Sequence, residues 1–453
     1  MKNGLYLTEA DSVSFDAWFS EAYRQVNPDN LSGIVCKNVT IVVTEDCNFD
    51  CTYCYMHCKK PKRMTKKTAK EVVDFLLNGE LTNGYIDPET SPGVILDFIG
   101  GEPLLEIDTI DRFMEYFIYK AFEINHPWKD NYVISMSSNG SLYASKKIQD
   151  FIVKYKSRVH IGITIDGTKE LHDACRIYKD RRGTYDDVIR GVMLRFKNGE
   201  HPSTKVTVAP ENINYLSDAT LHLFDLGYMF LHCNVVFEDV WDKRHARQLY
   251  AELKKLADII IEEELYKGHY ISMFSESTGS PVPEEENTNW CGGTGSMLAI
   301  GTDGICYPCL RYMEYSFANR ERKPVIIGDI YKGIMSREES EEIRCLDCIT
   351  RRSQSTDECF YCPIGKGCAW CSAFNYDCFG TADKRTVYHC DMHKARVLAN
   401  VYFWNTLYRK LKLDKRFEFH VPDAWAMEII GEDEASMLKN LSLLGGRGHE
   451  KAG

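Results

Sequence analysis

The stretch EDCNFDCTYCYMHC, Glu45 to Cys58, sets Cys47, Cys51 and Cys54 in a CxxxCxxC pattern directly after the apolar run VTIVVT at 39–44. A β-branched run that empties into a polar, thiol-bearing loop is how a strand of a parallel α/β sheet presents chemistry at its C-terminal end. The rhythm repeats downstream. Strands are predicted at VILDFI (94–99), YVISMS (132–137), VHIGITI (159–165), KVTVA (205–209) and LHCNVVF (231–237), each followed by a helical pattern. The first helix follows Met64 and Thr65, aligns Ala69, Val72, Val73, Leu76 and Leu77 on one face and stops at Asn78-Gly79. Six consecutive βα units predict an α/β fold built on a partial (β/α)6 barrel.

In such a barrel the segments after the strands share one rim. Here they are the thiol loop, GGEP (Gly100 to Pro103), SNG (Ser138 to Gly140) and DG (Asp166-Gly167). Asn-Gly and Asp-Gly are ordinary turn formers, and taken singly SNG and DG read as turns. With a cysteine triplet on the first loop, the four segments read together as a site.

Bulk properties narrow the class of partner. The 453 residues exceed one core, and 55 basic against 66 acidic residues leave a net charge of −11, no footprint for nucleic acid or an anionic membrane. The N-terminal MKNGLYLTEADSVSF has early acids and no apolar core, and no run reaches membrane-spanning length, so a cytoplasmic protein is expected. In a reducing compartment, 18 cysteines argue for metal or redox chemistry over disulfides. Four lie between Cys47 and Cys58 and eleven between Cys291 and Cys390, leaving only Cys36, Cys175 and Cys233 isolated.

The expected organisation is an N-terminal extension (1–37), the barrel (38–270), a Ser/Pro/Glu-rich linker (271–289), a cysteine-rich, loop-rich domain (290–395) and a C-terminal helix with a mobile tail (396–453). That last helix is predicted from Val397, Leu398, Val401, Tyr402, Trp404 and Leu407, and LGGRGHEKAG is expected to be the mobile tail.

Cys47, Cys51 and Cys54 with His57 or Cys58 meet the ligand count of structural zinc. Three thiols also suit a 4Fe-4S cluster with one open iron, able to take a small-molecule ligand while Tyr53 shields it from water.

CNFDCTYCY, GGEP, SSNG and IDG together resemble the radical S-adenosylmethionine (SAM) enzymes. The resemblance implies that Cys47, Cys51 and Cys54 hold the cluster and that its open iron chelates the methionine moiety of SAM. It implies that Gly100, Gly101, Glu102 and Pro103 steady the amino group and that Ser138, Asn139, Asp166 and Arg176 lie near the ribose or carboxylate. A 5′-deoxyadenosyl radical would carry the chemistry.

CGGTGSMLAIGTDGICYPC (Cys291 to Cys309) and CFYCPIGKGCAWC (Cys359 to Cys371), with Cys390 downstream, resemble the SPASM extension of that family, which carries two auxiliary clusters. The resemblance assigns Cys291, Cys309 and Cys371 to the first and Cys359, Cys362, Cys368 and Cys390 to the second. Two residues separate Cys368 from Cys371 where the family has three, and Cys306, Cys345, Cys348 and Cys378 leave the first cluster's fourth ligand open. A zinc ribbon of Cys345, Cys348, Cys359 and Cys362 is the alternative.

STDECFYCPIGKGCAWCSAFNYD and HCDMHKAR resemble the maturases of peptides with CXXX repeats, which form thioethers within a ribosomally made precursor. Expected partners are therefore a cysteine-containing precursor peptide, a separate leader-recognition protein and a low-potential flavodoxin or ferredoxin. Carbon-carbon crosslinking and formylglycine formation are alternative reactions. Sulfatase-type maturases carry an aspartate after the YPC cysteine, where this chain has Leu310, so Asp303 or Glu314 would have to substitute. A non-catalytic, metal-stapled scaffold is the reading from another class. Trp128, Arg181, Arg182 and Arg311 are candidate contacts for an acidic peptide, with solvated surface as the plain alternative.

Overall fold

The computed structural model describes residues 34–198, 203–289, 292–295 and 297–443, and all six expected strands are present. β1 (Cys36–Thr44), β2 (Gly93–Gly100), β3 (Tyr132–Ser138) and β4 (Val159–Ile163) run parallel in that order, with Val39 beside Leu96 and Leu96 beside Ile134. β5 (Thr204–Val208), β6 (Phe230–Val235) and a short β7 (Tyr270–Ile271) form a second parallel ladder. Where β4 gives way to β5 the Thr204 hydroxyl bridges the two ladders, donating to Ile163 O at 3.1 Å and accepting from Ile165 N at 3.3 Å.

Helix α1 (Lys66–Leu76) starts where Thr65 caps it, its side chain accepting from Thr68 N at 3.0 Å. Its Ala69, Val72, Val73 and Leu76 are buried against α2 (Ile107–Glu123), each Val or Leu contributing roughly 2 kcal/mol. The alternation continues with α3 (Lys146–Tyr155), α4 (Lys169–Cys175), α5 (Tyr185–Lys197), α6 (Leu216–Asp225) and α7 (Lys243–Glu262).

The cysteine-rich region is woven into the barrel. β8 (Met297–Ile300) adds parallel to β1, and β9 (Ile305–Tyr307), β10 (Gly328–Asp329) and β11 (Gly333–Ile334) extend the sheet antiparallel to eight strands. Helices α8 (Glu341–Asp347), α9 (Ser372–Phe379) and α10 (Cys390–Lys410) follow.

Two expectations about connecting segments change. The linker composition of 271–289 predicts a spacer, yet its backbone is strapped down. Gly279 N donates to Lys366 O at 2.9 Å, Lys366 N to Ser280 O at 2.8 Å, and Arg351 reaches the carbonyls of Pro283 and Glu286 at 2.7 and 2.9 Å. Ile271, Met273 and Phe274 anchor its start in the core, while the Ser/Pro/Glu-rich remainder is held through its backbone, which composition does not announce. The expected C-terminal helix is α10, and the chain from 411 to 443 adds two further helices that the sequence reading did not name. These are α11 (Asp423–Ile430) and α12 (Glu432–Leu443), which pack on α10 through buried Ala426, Ile429, Ala435 and Leu438. LGGRGHEKAG and residues 1–33 lie outside the described residues. No helix among the described residues is long and apolar enough to cross a membrane.

Candidate active site

The thiol loop leaves the C-terminal end of β1 and is zippered to the GGEP turn leaving β2. Gly101 N donates to Thr44 O and Glu102 N to Asp46 O, each at 3.0 Å. Side chains would prevent this approach: a Cβ on Gly100 would stand 2.1 Å from Thr44 O, and one on Gly101 2.2 Å from Asp46 O. Glu102 is 1% exposed. Its Oε1 accepts from Ser138 Oγ at 2.8 Å and Leu104 N at 3.1 Å, and its Oε2 from Asn139 N at 2.7 Å. Burial raises its pKa to about 7 against the pull of those donors. The carboxylate therefore braces the turn after β3, while buried Pro103 starts the next 3-10 turn.

That bracing reaches the cysteines. Asn139 Nδ2 donates to Asn48 Oδ1 at 2.8 Å and lies 3.9 Å from Cys47 Sγ, which also accepts from Phe49 N at 3.4 Å. Burial, with Glu102 adding, pushes the Cys47 thiol up to about 12. Lys59, which the sequence reading passed over, donates to Phe49 O at 3.3 Å, and the fields of Cys54, Cys47 and Cys51 outweigh burial to hold it protonated. Three soft thiols beside a fixed cation form a donor set suited to an anionic iron-sulfur cluster. Among the described residues no three His, Cys, Asp or Glu side chains converge as ligands of a single metal ion. Thiolates borne by different irons of one cluster stand further apart than ligands sharing an ion.

On the β4 side, Asp166 is 1% exposed and its Oδ2 accepts from Arg176 Nε at 2.8 Å and from the Tyr53 hydroxyl. Tyr53 lies under the Arg176 guanidinium, 5.4 Å from it. Oδ1 of Asp166 is buried without a partner among the described residues, an acceptor suited to a ligand hydroxyl or amine.

Beside this network lies a cavity of about 920 Å³. Its walls come from the thiol loop (Thr52, Tyr53, Cys54, His57) and from the segments after β4, β5 and β6, including Thr168, Glu170, Glu211 and Glu238. These later wall residues lay outside the sequence reading because only their position after a strand marks them. Among the described residues no Lys or Arg lines the cavity, and Glu170, Glu211 and Glu238 form no ion pair. The residues expected to meet an acidic peptide lie elsewhere. Trp128 is fully buried and donates to Ser91 O at 2.9 Å, Arg181 and Arg182 pair with Asp50 and Asp180, and Arg311 lies over the Tyr55 ring.

The Radical SAM superfamily model matches residues 41–220, which span β1 to α6 and carry the thiol loop, GGEP, Ser138, Asn139, Asp166 and Arg176. Residues 41–220 are a radical SAM domain. Its relatives include an uncharacterized protein of Methanocaldococcus jannaschii, 30% identical over 42% of this chain and 59% of that protein. A serine-type anaerobic sulfatase-maturating enzyme of Bacteroides thetaiotaomicron is 26% identical over 51% of this chain and 54% of its own. The chain thus spans little more than half the length of these two relatives. A cysteine-type counterpart from Clostridium novyi is 22% identical over 67% of this chain and 83% of its own. The fold is shared with native anSMEcpe bound to AdoMet and Cp18Cys peptide, at a TM-score of 0.57 and 18% identity, covering 82% of this chain and 99% of that one.

Beyond the radical SAM domain, Cys359, Cys362, Cys368 and Cys390 line one cavity of about 40 Å³ together with Arg385, His389 and His393. Cys390 opens α10, whose His393 Nε2 donates to Ile364 O at 2.7 Å, and His389 Nε2 donates to Ala369 O at 2.9 Å, pinning the loop that bears the other three. Cys309 and Cys371 share an apolar cluster with Tyr312, Leu346 and Ile349, whereas Cys291 lies outside the described residues. Cys306 is fully buried in the barrel core among Leu298, Ile300 and Ile327. Cys345 and Cys348 are exposed on and just after α8, so the zinc-ribbon set is divided between this surface and the 40 Å³ cavity. Cys378 sits on α9 beside Tyr388.

Proposed function

We propose that this chain is a radical SAM peptide maturase that forms intramolecular thioether links between a cysteine sulfur and a carbon of another residue in a ribosomally made precursor. The observation that carries the reading is the 920 Å³ cavity, which has Cys54 of the thiol loop in its wall and is framed by segments after β4, β5 and β6. When bound, SAM and the cluster supply a 5′-deoxyadenosyl radical that takes a hydrogen atom from the substrate.

Each residue set then has a task. Cys47, Cys51 and Cys54 hold the first cluster, with Lys59 balancing its charge. Gly100, Gly101, Glu102 and Pro103 keep the turn close against the thiol loop, and Ser138 and Asn139 fix the far side. Arg176 and Tyr53 both donate to Oδ2 of Asp166, which leaves Oδ1 to accept a ligand hydroxyl, and Tyr53 closes the site to water. Cys359, Cys362, Cys368 and Cys390 hold one auxiliary cluster, and Cys309, Cys371 and Cys291 the other. With Cys306 in a different apolar cluster, Cys291, Cys309 and Cys371 would leave one ligand position of their cluster to a substrate thiolate, and metal ligation would supply its acidification. A cavity wall with carboxylates and no Lys or Arg suits a neutral or basic peptide segment better than an acidic one. A separate protein reads the leader, and a flavodoxin or ferredoxin supplies the electron.

Formylglycine formation has support in the names of the sulfatase-maturating relatives. Against it, Leu310 follows Cys309, and Asp303 and Glu314 line a separate cavity of about 190 Å³ where Glu314 binds Lys60 at 2.8 Å.

The test is anaerobic reconstitution with iron and sulfide, iron counting, and turnover with SAM, dithionite and a cysteine-bearing peptide. About twelve irons per chain are expected, falling to about eight with loss of 5′-deoxyadenosine when Cys47, Cys51 and Cys54 become Ala. A thioether product lacks two hydrogens and no longer alkylates at cysteine. A product that lacks two hydrogens and still alkylates would mean carbon-carbon crosslinking, and loss of the cysteine sulfur would mean formylglycine. Bound zinc without 5′-deoxyadenosine would leave a scaffold.

A further inference from the structure

Arg385 stands out among the groups around the four-thiol cavity. Its Nη2 donates to Cys368 Sγ at 2.9 Å, and its guanidinium lies 4.2 Å from the centre of the Trp370 ring. The backbone holds it there: Arg385 N donates to Gln354 O at 2.9 Å, and Gln354 and the Trp370 indole both donate to Asn289 Oδ1, at 3.0 and 2.9 Å. No carboxylate pairs with Arg385 among the described residues, while the neighbouring Lys394 is neutralised by Asp391 at 2.7 Å. A stacked, half-buried guanidinium that aims an N–H at a sulfur and has no carboxylate partner among the described residues belongs with a thiolate site.

We propose that Arg385 is a positioning residue that sets the reduction potential of the cluster held by Cys359, Cys362, Cys368 and Cys390, raising it by donating to the Cys368 sulfur. The inference rests on the reading of those four thiols as cluster ligands. The physics is general. One-electron reduction adds a negative charge to a site already surrounded by thiolates, and a fixed cation with an N–H aimed at one sulfur stabilises the reduced form more than the oxidised form. Because the stacking on Trp370 fixes the guanidinium plane, little reorganisation accompanies the change of charge. The site is thereby tuned to take up an electron more readily than one whose sulfurs meet only apolar groups and neutral amides.

The experiment is an EPR-monitored potentiometric titration of the reconstituted full-length protein, comparing wild type with Arg385→Met and Arg385→Lys. The signal is assigned by its loss in a Cys359→Ala, Cys362→Ala variant. At a fixed potential, Arg385→Met is expected to lower the ratio of reduced to oxidised second auxiliary cluster about tenfold, about 59 mV for a one-electron couple. Arg385→Lys should restore most of it, and the other midpoints should not move. An unchanged midpoint at unchanged iron content would overturn the proposal. Loss of iron from both Arg385 variants would also overturn it, assigning the residue to assembly of the loop alone. If the double cysteine variant keeps the wild-type iron count, the cluster assignment itself fails.

Discussion

Arg176 Nε lies 2.8 Å from Oδ2 of Asp166, and the Tyr53 hydroxyl donates to the same oxygen. The pair joins the cysteine loop to the end of the barrel sheet. Both charged groups are buried, at 8% and 1% exposure. Removing one partner of a buried ion pair strands the other charge in a poorly hydrated site.

Asp166→Asn is therefore expected to lower the unfolding free energy by about 3 kcal/mol in urea titrations. It should also weaken SAM binding by about tenfold, since the free Oδ1 acceptor either turns to bond Arg176 or becomes a donor. Unchanged stability would mean that solvent already compensates the pair.

Glu102 gives the protein a pH dependence of definite sign. Its folded pKa is about 7 against an ordinary value of 4.5, raised by burial. Between those values the folded chain holds a proton that the unfolded chain has released. Stability from this residue is thus fully present at the acid end and declines as pH rises through about 7. The full span is worth about 3 kcal/mol. Glu102→Gln should remove this slope while costing about 1–3 kcal/mol for the lost acceptor at Asn139 N. Urea midpoints at pH 5 and pH 8 check both parts, and a slope that survives the substitution would assign it to another group.

Gly101→Ala tests the close approach of the two loops. The added Cβ would meet Asp46 O at 2.2 Å and its carbonyl carbon at 2.5 Å, both backbone atoms that cannot swing aside. The zipper between the loops should open and Cys47 should shift. Iron content is then expected to drop by about one cluster in three, with the far-ultraviolet dichroism of the barrel unchanged.

Much of this was legible in the sequence because it is periodic or local. Strands such as 94–99 alternate or run apolar, and α1 declares its face through Ala69, Val72, Val73 and Leu76. The thiol loop, GGEP, Ser138, Asn139 and Asp166 were legible because they stand at or just past the C-terminal end of a strand, whereas Arg176, which follows α4, was reached only through the family resemblance. What stayed hidden depends on pairings distant in sequence. The addition of β8 beside β1 joins Asn38 to Met297, and nothing in four residues of MLAI announces that partner. Lys59 and Arg385 look like ordinary surface cations until the fold sets one among three thiols and the other against Cys368. Beyond Phe274 the strap is held largely through main-chain carbonyls such as those of Pro283 and Glu286, which carry no residue-specific signal. Helices α11 and α12 carry little apolar periodicity, because their buried residues are few and partly alanine.

Cys306 and Cys309 are three residues apart yet belong to different environments, the first fully buried in the barrel core and the second with Cys371 beside α8. A strand turns successive side chains to opposite faces, so Cys306 on β9 points away from the thiols that follow it. Burial drives its thiol pKa far up, in keeping with its apolar surroundings. Cys306→Ala is expected to keep the full iron count and lose about 1 kcal/mol of stability from the small cavity it leaves. Cys309→Ala and Cys371→Ala should each lose about four irons while the first cluster still yields 5′-deoxyadenosine. Iron analysis on the three variants decides the matter. Loss of iron in Cys306→Ala would make it the fourth ligand and close the position assigned to the substrate thiolate.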